Sequence, residues 1–144
     1  MLPRPEPGLV IRYSYLWRRE HLEGRQEGLK DRPCAIVAAI RAGPAGDTRV
    51  LVLPITHTAP DAETPAIEIP LAVKSRLGLD TARSWVVLSE WNEFIWPGPD
   101  LRPVPGGDPA SVAYGMLPPR LFVEIRDALL QLIEASAAKP VPRT

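Results

Sequence analysis

"PCAIVAAIRAGPAGDTRVLVLPITHT", residues 33–58, holds two apolar runs around a break rich in Gly and Pro. The runs, 33–40 and 49–55, read as strands, and "RAGPAGDT" (41–48) reads as the turn that joins them into a hairpin. The pairing has a consequence at its open end. Arg32 enters the first strand and Thr56 leaves the second, so both stand near one end of the sheet. In "PITHT" (54–58), Thr56 and Thr58 share a face by the two-residue period, and His57 points to the other.

Working outward, "LVIRYSYLW" (9–17) alternates, with Ile11, Tyr13, Tyr15 and Trp17 on one face and Arg12 and Ser14 on the other. "RREHLEGRQEGLKD" (18–31) is almost wholly polar and reads as a long exposed loop, a length that in a compact domain points to function or disorder. "AIEIPL" (66–71) is a shorter strand, "AVKSRLGLD" (72–80) a turn or single helical turn ending at Gly78, and "SWVVLSEW" (84–91) is β-rich. A short strand then runs into the proline-rich loop of 93–111. "LPPRLFVEIRDALLQLIEASAAK" (117–139) is the one convincing helix: prolines stand at its start, and Leu121, Phe122, Ile125, Leu129, Leu132 and Ile133 form an apolar stripe. About six strands and a C-terminal helix predict a mainly β fold, a strongly bent sheet or small barrel with the helix packed on it.

Composition narrows the classes of function. The 144 residues suit one domain over 1–144, with 1–7 and 140–144 as flexible tails. Eighteen prolines imply many short elements with firm turns between them. No apolar run approaches the ~20 residues of a membrane span, and the proline-broken N-terminus does not resemble a signal peptide, so a cytoplasmic protein is expected. The single cysteine, Cys34, lies in a strand and reads as a core residue. Net charge is zero, yet residues 1–43 carry eight Lys/Arg against five Asp/Glu, while 58–100 carry three against seven. The basic N-terminal third can hold a modest phosphate-binding surface, or its charges can simply be solvated.

Phosphate-loop, nucleophile-elbow and zinc-protease motifs are missing from the sequence. Two polar constellations are left: the loop with Arg18, Arg19, His21, Gln26, Glu27, Lys30 and Arg32, and the "PITHT" strand end. An Arg fork and a Thr hydroxyl facing basic residues suit a phosphate. Trp17, beside Arg18 and Arg19, can stack on a base, as can Trp91 and Trp96; the core is the competing place for any of them. Trp85 belongs to the core, and His57 reads as a surface or interface residue.

Taken in order, Gly8, "VIRYSYLW", Glu27, Arg32-Pro33, "CAIVAAI", "VLPITHT" and the closing "YGMLPPRLFVEIRDALLQLI" resemble the MazF/PemK/Kid toxins of bacterial type II toxin–antitoxin systems. The resemblance covers most of residues 8–135. It implies a small SH3-like β-barrel (the PemK/CcdB-like toxin fold), a homodimer, a cognate antitoxin partner and no cofactor or metal. The implied activity is sequence-specific cleavage of single-stranded RNA, in which the substrate's 2′-OH attacks the adjacent phosphate to leave a 2′,3′-cyclic phosphate and a 5′-OH. By the same resemblance Arg32, Thr56 and Glu27 are the catalytic residues. Arg32 neutralises the phosphorane and Thr56 contacts the scissile phosphate. Glu27 either takes the 2′-OH proton or orients Lys30 or Arg32. Trp17, Arg18, Arg19, Lys30, Thr58 and Glu90 are the expected RNA contacts.

The chain departs from the family in places. Gln26-Glu27 stands where the family reads Glu-Gln, and Leu88 and Glu90 stand where some members carry an arginine and an aspartate. The loop "WPGPDLRPVPGGDP" (96–109) has no familiar counterpart. Two other functions therefore stay open: a catalytically silent barrel that binds a protein partner or RNA, and a protein-targeting toxin of the gyrase-poison type acting through its C-terminal helix. The apolar stripe, committed to the core, argues against the last.

Overall fold

The structure is a computed structural model that describes residues 2–143 apart from Glu27, Leu29 and the side chain of Ala42. The predicted hairpin is its centre. Strands β2 (Asp31–Ala42) and β3 (Asp47–Thr56) pair antiparallel from Cys34↔Pro54 to Ala42↔Asp47, with a bulge between Ile36 and Ala38. Both strands outrun their apolar stretches: their mutual pairing continues to Ala42↔Asp47, and β1 pairs with β2 as far as Asp31. Strand β1 (Leu9–Ser14) takes the other edge of β2, setting Tyr13 against Arg32 and Arg12 against Pro33.

The far edge of β3 serves two partners in turn. Its first half pairs with β6 (Glu90–Ile95) and its last two residues with β5 (Trp85–Val87), which carries the short β4 (Ala66–Glu68). Strand β7 (Ala113–Met116) flanks β1, and β8 (Lys139–Pro142) lies parallel to β6, the other pairings being antiparallel. Among the described residues this makes an eight-stranded sheet curled into a half-barrel, with the order β4-β5-β3-β2-β1-β7 and β6 and β8 branching from β3. Gly8 allows the entry into β1. Its φ of 96° suits glycine, and its N–H and C=O bind Ile36 and Leu117.

Alternation along the strands sends side chains into two apolar layers. Val10, Ala35, Leu53, Ile55 and Val86 fill one face together with Leu121, Ile125 and Leu129 of helix α3 (Pro119–Glu134). Each of these buried helix side chains contributes roughly 1.5–3 kcal/mol. Ile11, Tyr13, Tyr15, Cys34, Ile36 and Val52 fill the other face, where Tyr13 stacks on Phe94 at 4.6 Å between ring centroids. The helix starts at the predicted prolines, but its buried stripe is narrower than expected: Phe122 and Leu132 are half-buried and Ile133 is exposed.

Two segments differ from the sequence reading, and a third takes the helical one of its two alternatives. The polar stretch after Trp17 is not all loop: α1 (Arg18–Leu22) forms there, and the buried Glu20 carboxylate accepts the Trp17 N–H at 3.0 Å. The turn before Gly78 is the short helix α2 (Leu71–Arg76). The expected tail from 140 onward is instead β8. Its prolines at 140 and 142 do not interrupt pairing, because N–H groups on either side of them carry bonds. Lys139 donates to Ser89 at 3.0 Å and Arg143 to Glu93 at 2.9 Å.

Strand β8 delivers Arg143 into the fold. Its side chain is 2% exposed. It donates to Asp100 Oδ2 at 2.7 Å, Ser14 O at 2.8 Å, Asn92 Oδ1 at 3.0 Å and Gln26 O at 3.3 Å, with its Cζ 5.3 Å from the centre of the Tyr13 ring. Removing one partner of such a buried pair strands the other charge, at a cost of about 3–5 kcal/mol. Arg143→Ala is accordingly expected to lower stability to urea by about 3 kcal/mol, and adding Asp100→Asn to recover part of the loss. Equal stability of the single and double variants would show that the ion pair is not what holds β8.

Candidate functional site

The register of β2 and β3 places Arg32 and Thr56 at the same end of the hairpin, each two residues beyond the Cys34↔Pro54 pair. Both line a cleft of about 860 Å³ whose walls also include Trp17, Arg19, Lys30, Thr58 and Glu90. Seven of the nine residues singled out from the sequence therefore meet in one place. Arg18 stays outside it with an exposed side chain; its backbone N–H donates to Glu90 Oε1 at 2.9 Å. Glu27 lies outside the described residues.

Trp17 is positioned from the backbone outward. The buried amide of Asn92 clamps Leu16 by both polar groups, accepting its N–H at 2.9 Å and donating to its C=O at 2.8 Å. The Glu20 carboxylate holds the next N–H. The indole, half-buried and edge-on to Tyr15, meets the guanidinium carbons of Arg32 and Arg19 at 5.1 and 5.4 Å from its centre. Such contacts are worth about 0.5–2 kcal/mol each and hold the charges in place. Trp17 thus holds two arginines beside it while itself lining the cleft. The Arg32 Nε and Trp17 Nε1 are buried without a hydrogen-bond partner among the described residues. Trp91 and Trp85 belong to the core, and Trp96 packs beside Phe94.

At the strand end the Thr56 hydroxyl accepts the Thr58 N–H at 3.1 Å, a turn closed by a side chain. This bend carries His57 off the strand's alternation and into the cleft, which the period-2 reading does not foresee. His57 Nε2 lies 2.7 Å from Asp80 Oδ2. Asp80 Oδ1 in turn accepts from Lys74 Nζ at 2.7 Å. Lys74 is 1% exposed, and its ammonium also donates to Ser84 Oγ at 2.7 Å and to Ala82 O. Three donors meet three acceptors, which is what allows a lysine to be buried charged.

The Lys74 hydrogen bond, helped by the charges of His57 and Lys74, holds the Asp80 carboxyl below its ordinary range. Glu90 moves the opposite way. Burial raises it, even though the Arg18 N–H and, at 3.1 Å, the Tyr15 hydroxyl donate to it. Cys34 is fully buried and its thiol is pushed up by desolvation, so it is no nucleophile at neutral pH. Among the described residues no three His, Cys, Asp or Glu side chains gather into a metal-ligating group, and no helix is long and apolar enough to cross a membrane.

The His57–Asp80–Lys74 chain is the part of the site that sequence reasoning missed. Nothing in "VKSRLGLD" marks Lys74 as buried, since a lone lysine before a glycine is ordinarily a solvated charge. The loop of 96–109 enters modestly: Pro105 touches the cleft, while Arg102 lies 3.5 Å from Asp31 and 3.8 Å from Asp100. No protein family, curated protein or solved structure matches this chain.

Because folding raises the Glu90 carboxyl, the protonated acid is the form that folding favours. That contribution is full below the ordinary carboxylate range and is lost as pH rises through the raised folded value. Glu90→Gln, whose amide oxygen can still accept both hydrogen bonds, is expected to be more stable than wild type at neutral pH. The advantage should vanish near about pH 4. Urea unfolding at both conditions measures it, and a pH-independent difference would assign the effect to packing.

Proposed function

We propose that this chain is a metal-independent, sequence-specific endoribonuclease acting on single-stranded RNA, the growth-inhibiting toxin of a type II toxin–antitoxin pair. In this reading its half-barrel is the SH3-like barrel of MazF/PemK/Kid-like toxins, it works in the cytoplasm as a homodimer, and a cognate antitoxin protein occludes the cleft. One observation carries the reading: Arg32 and Thr56 stand at one end of paired strands, lining a cleft that also holds Arg19 and Lys30.

Transesterification by a 2′-OH needs a cation on the phosphate oxygens, a donor at the scissile group and a route for protons. Arg32 is permanently charged and preset by Trp17 and by the strand at its base. Thr56 offers a hydroxyl within the same cleft, and Lys30 and Arg19 add positive charge for the flanking backbone.

A second reading is favoured by the charge of the walls. Glu20, Asp31, Asp61, Asp80 and Glu90 are interleaved with Arg12, Arg19, Lys30 and Arg32, so the cleft is not a uniformly cationic groove. That balance suits a catalytically silent barrel that binds a protein partner. Incubation with unstructured RNA in EDTA separates the two. Cleavage to 2′,3′-cyclic phosphate and 5′-OH ends is expected, with Arg32→Ala slowing it about a hundredfold or more while circular dichroism stays native. Intact RNA at high protein concentration, together with normal growth of cells expressing the chain alone, would favour the binding module.

A further inference from the structure

We infer that His57, oriented by Asp80, is the proton-transfer group of the cleft, and that Lys74 is buried to hold Asp80 in place for it. This rests on the ribonuclease reading and names a group that Arg32 and Thr56 do not supply. An arginine is a poor base at neutral pH, and a threonine hydroxyl is a poor one at any ordinary pH.

The geometry is that of an oriented imidazole. A carboxylate accepts, so the short contact between His57 Nε2 and Asp80 Oδ2 puts the ring proton of neutral His57 on Nε2. Nδ1 is then left with its lone pair as the acceptor. Asp80 cannot swing away, because its other oxygen is bound by an ammonium that two further acceptors pin. His57 is also adjacent in sequence to Thr56 and lines the same cleft as Arg32. A proton acceptor, a hydroxyl and a guanidinium therefore line one cleft.

The step balances with no added reagent. The 2′ oxygen forms its bond to phosphorus as its proton passes to His57 Nδ1, giving an imidazolium stabilised by Asp80. The bond from phosphorus to the 5′ oxygen breaks, and the leaving oxygen takes a proton from water. The imidazolium then returns its proton to solvent.

A purely structural role for the chain of contacts explains less. Lys74 already ties α2 to the segment before β5 through Ala82 and Ser84, and that staple needs no histidine. His57 is 60% exposed at its side chain, so its ring contributes little packing.

The test uses an RNA oligomer that the wild-type protein cleaves, with its fully 2′-O-methylated counterpart as a non-cleavable binding probe. His57→Gln and His57→Ala are expected to lower kcat about a hundredfold or more with little change in KM or in affinity for the probe. Added imidazole should restore part of the rate of His57→Ala. Asp80→Asn, which keeps an oxygen for Lys74, should lower kcat less, and should cause no further loss in the His57→Ala background. Wild-type cleavage with an equally fast His57→Gln overturns the assignment alone. Loss of activity in His57→Ala without imidazole rescue, or additive losses in the double variant, also overturns it. A wild-type protein that cleaves no RNA overturns the ribonuclease reading and this assignment with it.

Discussion

The buried ammonium of Lys74 is the constraint on which the cleft depends. A charged lysine out of water is stable only when each of its three donors finds an acceptor. Here Asp80, Ser84 and the Ala82 carbonyl meet that demand. The price of burial is thereby converted into position. α2 is tied to the segment before β5, the strand that pairs with the end of β3, and one carboxylate oxygen of Asp80 is left directed at His57. Without the ammonium, Asp80 would be an ordinary exposed side chain with no preferred direction.

A second buried cation does corresponding work on the other face. Arg143 reaches from β8 across Tyr13 to Asp100, and in passing holds the carbonyls of Ser14 and Gln26. Those two carbonyls flank the segment that carries α1 and leads toward Lys30 and Arg32. Asn92 serves both sides of this arrangement, accepting from Arg143 while it clamps Leu16. The wall that bears Trp17, Arg19 and Arg32 is thus set by buried polar groups rather than by the apolar layers beneath it. Networks of this kind specify one arrangement because a shifted register would leave charges unpaired in a low-dielectric interior.

Much of the frame was legible in the residues. The two apolar runs around "RAGPAGDT" predict β2 and β3, and the prolines at 118 and 119 predict the start of α3. The same hairpin reading put Arg32 and Thr56 at one end. What escaped the reading was short or polar. α1 has five residues and no apolar periodicity, and its stability comes from Glu20 and its neighbours rather than from its composition. β7 has four residues, and β8 contains two prolines, a pattern that in isolation describes a tail. His57 is exposed at the surface as read, but its place in the cleft was not foreseen, since strand alternation stops where the Thr56 hydroxyl closes its turn.

By itself the sequence determined the period-2 pairing of the central strands, the helix that covers one face, and the clustering of Arg32 with Thr56. These are local properties, decided by hydrophobic periodicity and by the conformational limits of Gly and Pro. Only the tertiary structure decided that Lys74 and Arg143 are buried, that Asp80 faces His57, and that Trp17 carries two arginines. Each of these joins residues from different elements, and each has its energy set by the loss of water around a charge. No local pattern encodes that loss, because burial is a property of the assembled fold.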